Sequence, residues 1–414
     1  MFIRLAVKSL LDRKGSVIVS LLAMSVSIFV LLGVEHIRHQ TKENFSNTVS
    51  GVDLIVGGRT GSVNLLLYSV FRVGNPTNNI RWESYEKIAS SRKVDWAIPI
   101  SLGDSHKGYR VFGTSTDYFK YFSYGEKRLL EFRDGRPFRD LFDVVLGAEV
   151  ARKLNYQLGD RLVLAHGVAA TSFSLHDDRP FEVVGILNPT GTPVDQTLHV
   201  SLAGIEAIHI DWQHGVRIPG SAAPVDNFDD VDLEPKSITA FMLGLKEKMA
   251  TFRFQRGVNN FKGEPLMAIL PGVALSELWQ MMGVLEKTLL LVSGLVFLAA
   301  CLGVSAMLLA SIRERRREIH LLRVIGAPPR FLFFLIELEA CFITFFGVLV
   351  GSVLLMSCLL LSRDYVIERF GLHISSSIFT YNSIYMILMV FLASFFVAAI
   401  PSCVSYLRAR KGLD

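Results

Sequence analysis

Apolar and polar positions divide the chain into two kinds of segment. Four runs reach the length of about 20 mainly apolar residues that a helix needs to cross a bilayer: 16–34, 288–312, 331–361 and 381–400. The third is over-long and carries Glu337 and Glu339 near its start, so its span is expected to begin after them. The residues between the first and second runs have ordinary polar composition. Short β-branched or aromatic runs at 52–56, 144–146, 161–164 and 181–187 predict strands there. Short helices are predicted at 82–91 and 149–154, with turn material at 155–159. The stretch 218–235, rich in Pro, Asp and Ala, predicts a loop or hinge, followed by a strand at 238–245 and a helix at 249–259. The fold class expected is an α-helical membrane protein with four transmembrane helices plus a large α/β extracytoplasmic domain. That domain would be built from two discontinuous halves and an insertion.

A mean hydropathy of +0.38 with 20% charged residues fits such a composite better than either a soluble enzyme or an all-membrane chain. With 32 Gly, 14 Pro and 4 Cys, disorder, collagen-like repeats and a disulfide scaffold are excluded. Arg4, Lys8, Arg13 and Lys14 precede the first run, as in a signal peptide. No small-x-small cleavage site follows Val34, where the chain reads Glu35-His36-Ile37-Arg38, so a retained anchor is expected.

The net charge of +5 is unevenly placed: +3 in 1–15, +4 in 313–330 and +2 in 408–414. Glu337 and Glu339 subtract two and the loop 362–380 balances, which leaves −2 for 35–287. By the positive-inside rule both termini and the 313–330 connection are expected in the cytoplasm, and the large domain outside. The basic excess then reports topology and lipid contact, and nucleic acid is rejected as a partner. The localisation expected is a bacterial inner (plasma) membrane, crossed several times, with the large domain in the periplasm. Cys301, Cys341, Cys358 and Cys403 all fall in the expected membrane spans and read as small packing residues, and the outer domain has none.

Candidate chemistry in the outer domain is sparse. Gly57-Gly58-Arg59-Thr60-Gly61 lacks the spacing of a dinucleotide loop and is expected to be a flexible turn. His166, His176, His209 and His214, with Asp177 and Asp178, are the candidates for a metal site. No H-x3-H or HExxH helix spacing unites them, so scattered surface or hydrogen-bonded histidines are expected instead. No G-x-S-x-G elbow and no other catalytic constellation occurs, so the chain is expected not to be an enzyme.

The most specific stretch runs from Arg313 to Pro328. Helical spacing gives Ile319, Leu322, Val324 and Ile325 an apolar edge, and the like-charged Glu314 and Glu318 are relieved by neighbouring arginines. Gly326 fits a C′ position, and Pro328-Pro329 stops the helix. Such a helix suits either a cytoplasmic partner or lipid headgroups.

The pattern R-x-x-E-I-x-L-L-R-x-I-G-A from Arg315 to Ala327 resembles the coupling element of MacB/FtsX-type (type VII) ABC transporter permeases. Arg315, Arg316, Arg317, Glu318, Ile319, Leu321, Leu322, Arg323, Gly326 and Ala327 are the implied contacts to an ATPase. Leu5-Ala6-Val7-Lys8-Ser9-Leu10-Leu11 is similar to that family's amphipathic N-terminal helix, and 346–351 to its small-residue third span. Gly51-Val52-Asp53-Leu54-Ile55-Val56-Gly57, Val144-Val145-Leu146-Gly147 and Pro401 with Arg408 and Arg410 are also similar. The G-x3-G pair Gly347 and Gly351 is expected to pack spans closely. Glu337 and Glu339 are expected in a structural role near the interface, with proton carriage as the other reading.

The resemblance implies a domain order in the numbering of this sequence. Residues 1–15 are an amphipathic helix, 16–36 the first span and 37–283 the outer domain. Its membrane-near porter covers about 45–120 and 236–283, and an inserted sabre about 121–235. The second span is 284–312, the coupling helix 313–330, the third span 331–361, an outer loop 362–380, the fourth span 381–403 and the C-terminus 404–414. A dimer, most simply of identical chains, would work with ATPase subunits. No G-x4-G-K-[ST] loop occurs in the sequence, so ATP and Mg are expected on the partner, with no cofactor in this chain. Two functions follow: efflux or extraction of an envelope substrate, with a periplasmic adaptor, lipoprotein or outer-membrane channel, or signalling to an envelope enzyme. Divalent-metal-related transport is a third.

Overall fold

The computed structural model describes residues 8, 10–167, 179–210, 212–213, 216–217, 232–314, 328–370 and 378–411. In chain order the elements used below are α1 (Lys14–Asn47), β1 (Leu54–Gly58), α2 (Ser62–Ser69), α3 (Trp82–Ala89), β2 (Val94–His106) and β3 (Tyr109–Thr114). There follow α4 (Asp117–Tyr121), β4 (Phe132–Gly135), β5 (Asp143–Leu146), α5 (Ala148–Leu154), β6 (Phe181–Leu187), β7 (Thr197–Ser201) and α6 (Leu202–His209). The chain continues through β8 (Ala240–Leu245), α7 (Thr251–Asn259), β9 (Leu266–Ile269), α8 (Pro271–Glu314), α9 (Pro329–Phe370) and α10 (Tyr381–Lys411). Two compact units result. One is formed by 1–41, 282–365 and 374–414, the other by 42–281 and 366–373.

The membrane unit is all-helical. Four helices hold windows long and apolar enough to cross a bilayer: Lys14–Glu43, Pro271–Ala310, Phe333–Ser362 and Tyr381–Ile400. Both α1 and α8 extend well past the apolar runs of the sequence, and α9 stays helical to Phe370, into the stretch expected as a loop. A helix terminates where its hydrogen bonds lose partners, not where its side chains turn polar, so hydropathy alone underestimates its length. The core of this unit gathers Met24, Ile28 and Leu32 of α1, Cys301, Val304 and Leu308 of α8, Ala340 and Ile343 of α9, and Val390 and Ala398 of α10.

The outer unit is built on one mixed sheet, in the order β9-β1-β8-β2-β3-β7-β5-β6-β4. Strands from 45–120 and 236–283 occupy one end of that order, and strands from 121–235 the other. Pairing is antiparallel between β1 and both its neighbours, between β8 and β2, and between β2 and β3, and parallel between β3 and β7 and between β5 and β6. Alternate side chains face opposite ways, and here both faces are covered. Ile55, Ile98, Ile100, Phe112, Val145, Ala240 and Met242 join one cluster with Leu65 and Tyr68 of α2 and Tyr118 of α4. Their chain neighbours divide into two clusters on the opposite face. Leu54, Val56, Phe241 and Leu243 pack with Tyr85 and Ile88 of α3 and Val258 of α7. Val111, Val144, Leu146, Leu198 and Val200 pack with Val150 of α5 and Ile205 and Ile208 of α6. The sheet thus shares one continuous core on one face and two separate cores on the other.

The expected turn at 57–61 is corrected in part, because Gly57 and Gly58 belong to β1. A Cβ on Gly57 would lie 2.6 Å from the Tyr68 hydroxyl, and one on Gly58 2.9 Å from the Asn78 carbonyl oxygen. These glycines allow close packing of the strand. The turn itself is Arg59-Thr60-Gly61, leading into α2.

Candidate functional site

Arg315, Arg316, Arg317, Glu318, Ile319, Leu321, Leu322, Arg323, Gly326 and Ala327 lie outside the described residues. The helices on either side of that segment are described. Helix α8 carries the chain to Glu314, and α9 restarts at Pro329. Proline is suited to a first helical position because its missing N–H would lack an intrahelical partner there anyway.

Near the start of α9 the Arg13 guanidinium lies 3.4 Å from the Glu339 carboxylate, which is only 4% exposed. The pair ties the residue just before α1 to α9 across 326 residues of sequence. A buried carboxylate that loses such a partner costs about 3–5 kcal/mol. Glu337, two residues earlier, is also buried. Ser402 of α10 is its polar neighbour, and neither of its oxygens completes a hydrogen bond of normal geometry among the described residues.

About two to three turns beyond Glu339 along α9, Gly347 and Gly351 face α1. A Cβ at Gly347 would fall 2.6 Å from Met24 Cγ, and one at Gly351 2.7 Å from the Ser25 carbonyl oxygen. The second contact is with backbone, which has no rotamer to retreat into. Thr344 and Ser394 share a 2.5 Å hydrogen bond between α9 and α10. Toward the other end of α1, Arg38 bonds both Glu35 oxygens at 2.7 and 2.8 Å and reaches Glu286 of α8 at 2.5 Å. Glu35 is buried and the other two are partly exposed, so this triad pins α1 to α8 where both helices leave their most apolar stretch.

In the outer unit the histidine candidates do not converge. Among the described residues no three His, Cys, Asp or Glu side chains are grouped to hold a metal ion. His176, His214, Asp177 and Asp178 fall outside the described residues, and so does the side chain of His166. His209 donates from Nδ1 to Ile205 O (2.8 Å) and lies 3.4 Å from buried Asp104. Burial alone would lower its pKa, but the Asp104 carboxylate outweighs that and raises it. His199 is fully enclosed, stacked on Tyr118 at 5.3 Å, and burial with the nearby Arg72 charge pushes it down to about 3. Arg72 itself is buried with a left-handed φ of 60°, donates to Ser69 O, and lies 3.8 Å over the Phe112 ring. Burial lowers its pKa to about 10, so it keeps its proton at neutral pH. This cation–aromatic cluster seals the end of α2 against the sheet. Sequence reading missed it because a lone Arg after an apolar helix carries no signal of burial.

A family model of the MacB-like periplasmic core domain matches residues 17–232, and a model of the FtsX-like permease C-terminal region matches residues 290–411. No curated protein matches the chain in sequence. Among solved structures, the periplasmic region of MacB from Actinobacillus actinomycetemcomitans aligns at 9% identity and TM-score 0.35, over 56% of this chain and 94% of that one. The extracellular domain of the noncanonic ABC-type transporter YknZ from Gram-positive bacteria aligns at 12% identity and TM-score 0.31, over 53% and 98%.

Proposed function

The chain belongs to the MacB/FtsX-type family of ABC transporter permeases, and from that premise we propose that it relays the strokes of a separate ATPase to its outer domain. The observation that carries this reading is α8. It is an unbroken helix of 44 residues, roughly 66 Å long at about 1.5 Å per residue, some twice the hydrocarbon thickness. One end leads directly into the 313–330 segment, and the other begins two residues after β9 of the outer sheet. A push on the segment therefore has a stiff covalent path toward the strand.

In this reading Arg315 to Ala327 form the contact with the ATPase, which supplies ATP and Mg. The segment and both termini face the cytoplasm, in the inner membrane, and two copies of the chain act together. The 45–120 and 236–283 strands serve as the porter and the 121–235 strands as the sabre. The outer domain performs efflux or extraction of an envelope substrate. The match of residues 17–232 to a MacB-like core supports transport over signalling to an envelope enzyme. Affinity purification of the full chain in mild detergent, with identification of what co-purifies, tests the reading. An ATPase with an adaptor, lipoprotein or outer-membrane channel supports it. An envelope hydrolase in their place moves it to signalling, and the absence of any ATPase sinks it.

A further inference from the structure

Within the membrane unit, α9 and α10 meet at two polar crossings. At the first, the Thr344 hydroxyl donates to Ala340 O at 3.0 Å, so the hydrogen of its 2.5 Å bond with Ser394 comes from the serine. At the second, Ser402 of α10 neighbours Glu337 of α9. Glu337 lies seven residues before Thr344, and Ser402 eight residues after Ser394. The two helices run antiparallel, so both partners stand about 10–12 Å along their axes from the first crossing.

The second crossing lacks a hydrogen. Ser402 is fully enclosed, and its hydroxyl donates to Ala398 O at 2.9 Å, one turn earlier in its own helix. What Ser402 has left to offer Glu337 is an acceptor, and an ionised carboxylate can only accept. Glu337 is 4% exposed, and neither of its oxygens has a hydrogen-bond partner among the described residues. Arg13 is engaged by Glu339, and the other titratable group beside Glu337 is Cys341, one turn further along α9. A carboxylate enclosed in a membrane helix with neither counter-charge nor donor is among the costliest groups a fold can hold. Glu337 lies four residues into the apolar window that opens at Phe333, and Ser402 two residues past the window that closes at Ile400. The crossing is therefore at the membrane boundary, on the side of the 313–330 segment, where water is close enough to exchange protons.

We propose that Glu337 is a proton-binding site: the side chain is held as the carboxylic acid, and its O–H donates to the Ser402 oxygen. The bound proton supplies the one hydrogen that the crossing lacks, as Ser394 supplies it at the first crossing. It ties α9 to α10 about two turns beyond Pro329, where α9 begins after the 313–330 segment. Release of the proton to boundary water would set two groups of lone pairs against each other and loosen that end of the helix pair. The site stands whether or not the segment meets an ATPase.

Infrared difference spectroscopy of the full chain in mild detergent, near neutral pH, tests this directly. Wild type is expected to show the carbonyl band of a protonated carboxyl group, lost in Glu337→Gln and kept in Glu339→Gln. Ser402→Ala removes the acceptor and is expected to keep the band but move it toward that of an unbonded acid. Glutamine matches the acid in shape and carries an N–H for Ser402, so Glu337→Gln is expected to melt no lower than wild type. A wild-type spectrum without the band, or a band that survives in Glu337→Gln, would overturn the site. A band unmoved in Ser402→Ala would overturn the bond to α10. Wild type that melts well above Glu337→Gln, and higher in sodium than in choline salts, would show an ionised carboxylate holding a cation and overturn the proton assignment.

Discussion

Phe181 in the outer sheet and Phe346 in α9 are the same side chain in two solvents. Phe181 is fully enclosed among the side chains of β5, β6 and β7, whereas Phe346 is 48% exposed on a helix meant for lipid. The contrast runs through the two units. In the outer one, both faces of the sheet are covered, so stability is spread over many apolar contacts. In the membrane unit, lipid tails are as apolar as the side chains they touch, and burial by itself gives little. Stability there concentrates at a few crossings: Arg13 with Glu339, Arg38 with Glu35 and Glu286, and Gly347 and Gly351 against α1. A unit held at few points can be rearranged by changing those points, whereas a sheet covered on both faces has no such small set of contacts.

The comparison can be broken at several places. Phe181→Ala is expected to cost about 3–5 kcal/mol by loss of burial and the cavity left behind. Phe346→Ala in the same full chain is expected to cost less than about 1 kcal/mol. Thermal melting in detergent followed by tryptophan fluorescence would compare the two, and equal losses would end the claim that the units are stabilised differently.

The outer unit alone should answer to acid through His199. Its folded pKa of about 3 lies below the ordinary value, so its contribution is complete above about pH 6.5. Stability is lost as pH falls, by about 1.4 kcal/mol per unit, because the unfolded chain takes up a proton that the folded one refuses. At pH 4.5 that approaches about 2–3 kcal/mol, and His199→Phe should remove this part of the slope, leaving the smaller part of the same sign from buried His106, whose pKa is also lowered by burial. His209 acts with opposite sign. Its raised pKa beside Asp104 makes its contribution complete below its ordinary value and lost as pH rises through the folded one. Melting profiles of wild type, His199→Phe and His209→Gln between pH 4.5 and 8 separate the two.

At the crossings, Gly351→Leu is expected to cost about 1–3 kcal/mol, since its side chain meets the Ser25 backbone. Gly303→Leu, with open space around it, is expected to change stability by less than about 0.5 kcal/mol. Similar losses at the two glycines would show that α1 and α9 do not depend on close approach.

Much of the fold was legible because each signal was local. Four apolar runs gave four long helices, and the strands near 144–146 and 181–187 and the helix near 149–154 follow from short-range pattern. The turn at 155–159 contains Asn155 and Gly159, both at positive φ. Strand β2 was not foreseen: Pro99 sits in its middle, where proline argues against a central strand, and a register shift interrupts it between Leu102 and Ser105. Its Pro99 carbonyl is nonetheless used, accepting from the Thr114 hydroxyl at 2.8 Å. The crossings were half legible. Glu35 and Arg38 are three residues apart and readable on a helix, and Gly347 with Gly351 is a motif, but Glu286 and the Arg13–Glu339 pair depend on which helices meet. No local pattern specifies that. The coupling residues came from resemblance to a family.

The central claim is that the 313–330 segment hands an ATPase's motion to this chain, and charge reversal tests it most directly. The measurement is ATP turnover of the purified complex, together with recovery of the ATPase on the tagged chain, for wild type, Glu318→Arg and Arg323→Glu. Both variants are expected to insert normally and to lose about tenfold in ATPase recovery, the equivalent of about 1.4 kcal/mol, with stimulated turnover falling in step. Wild-type recovery and wild-type turnover in both variants would contradict it.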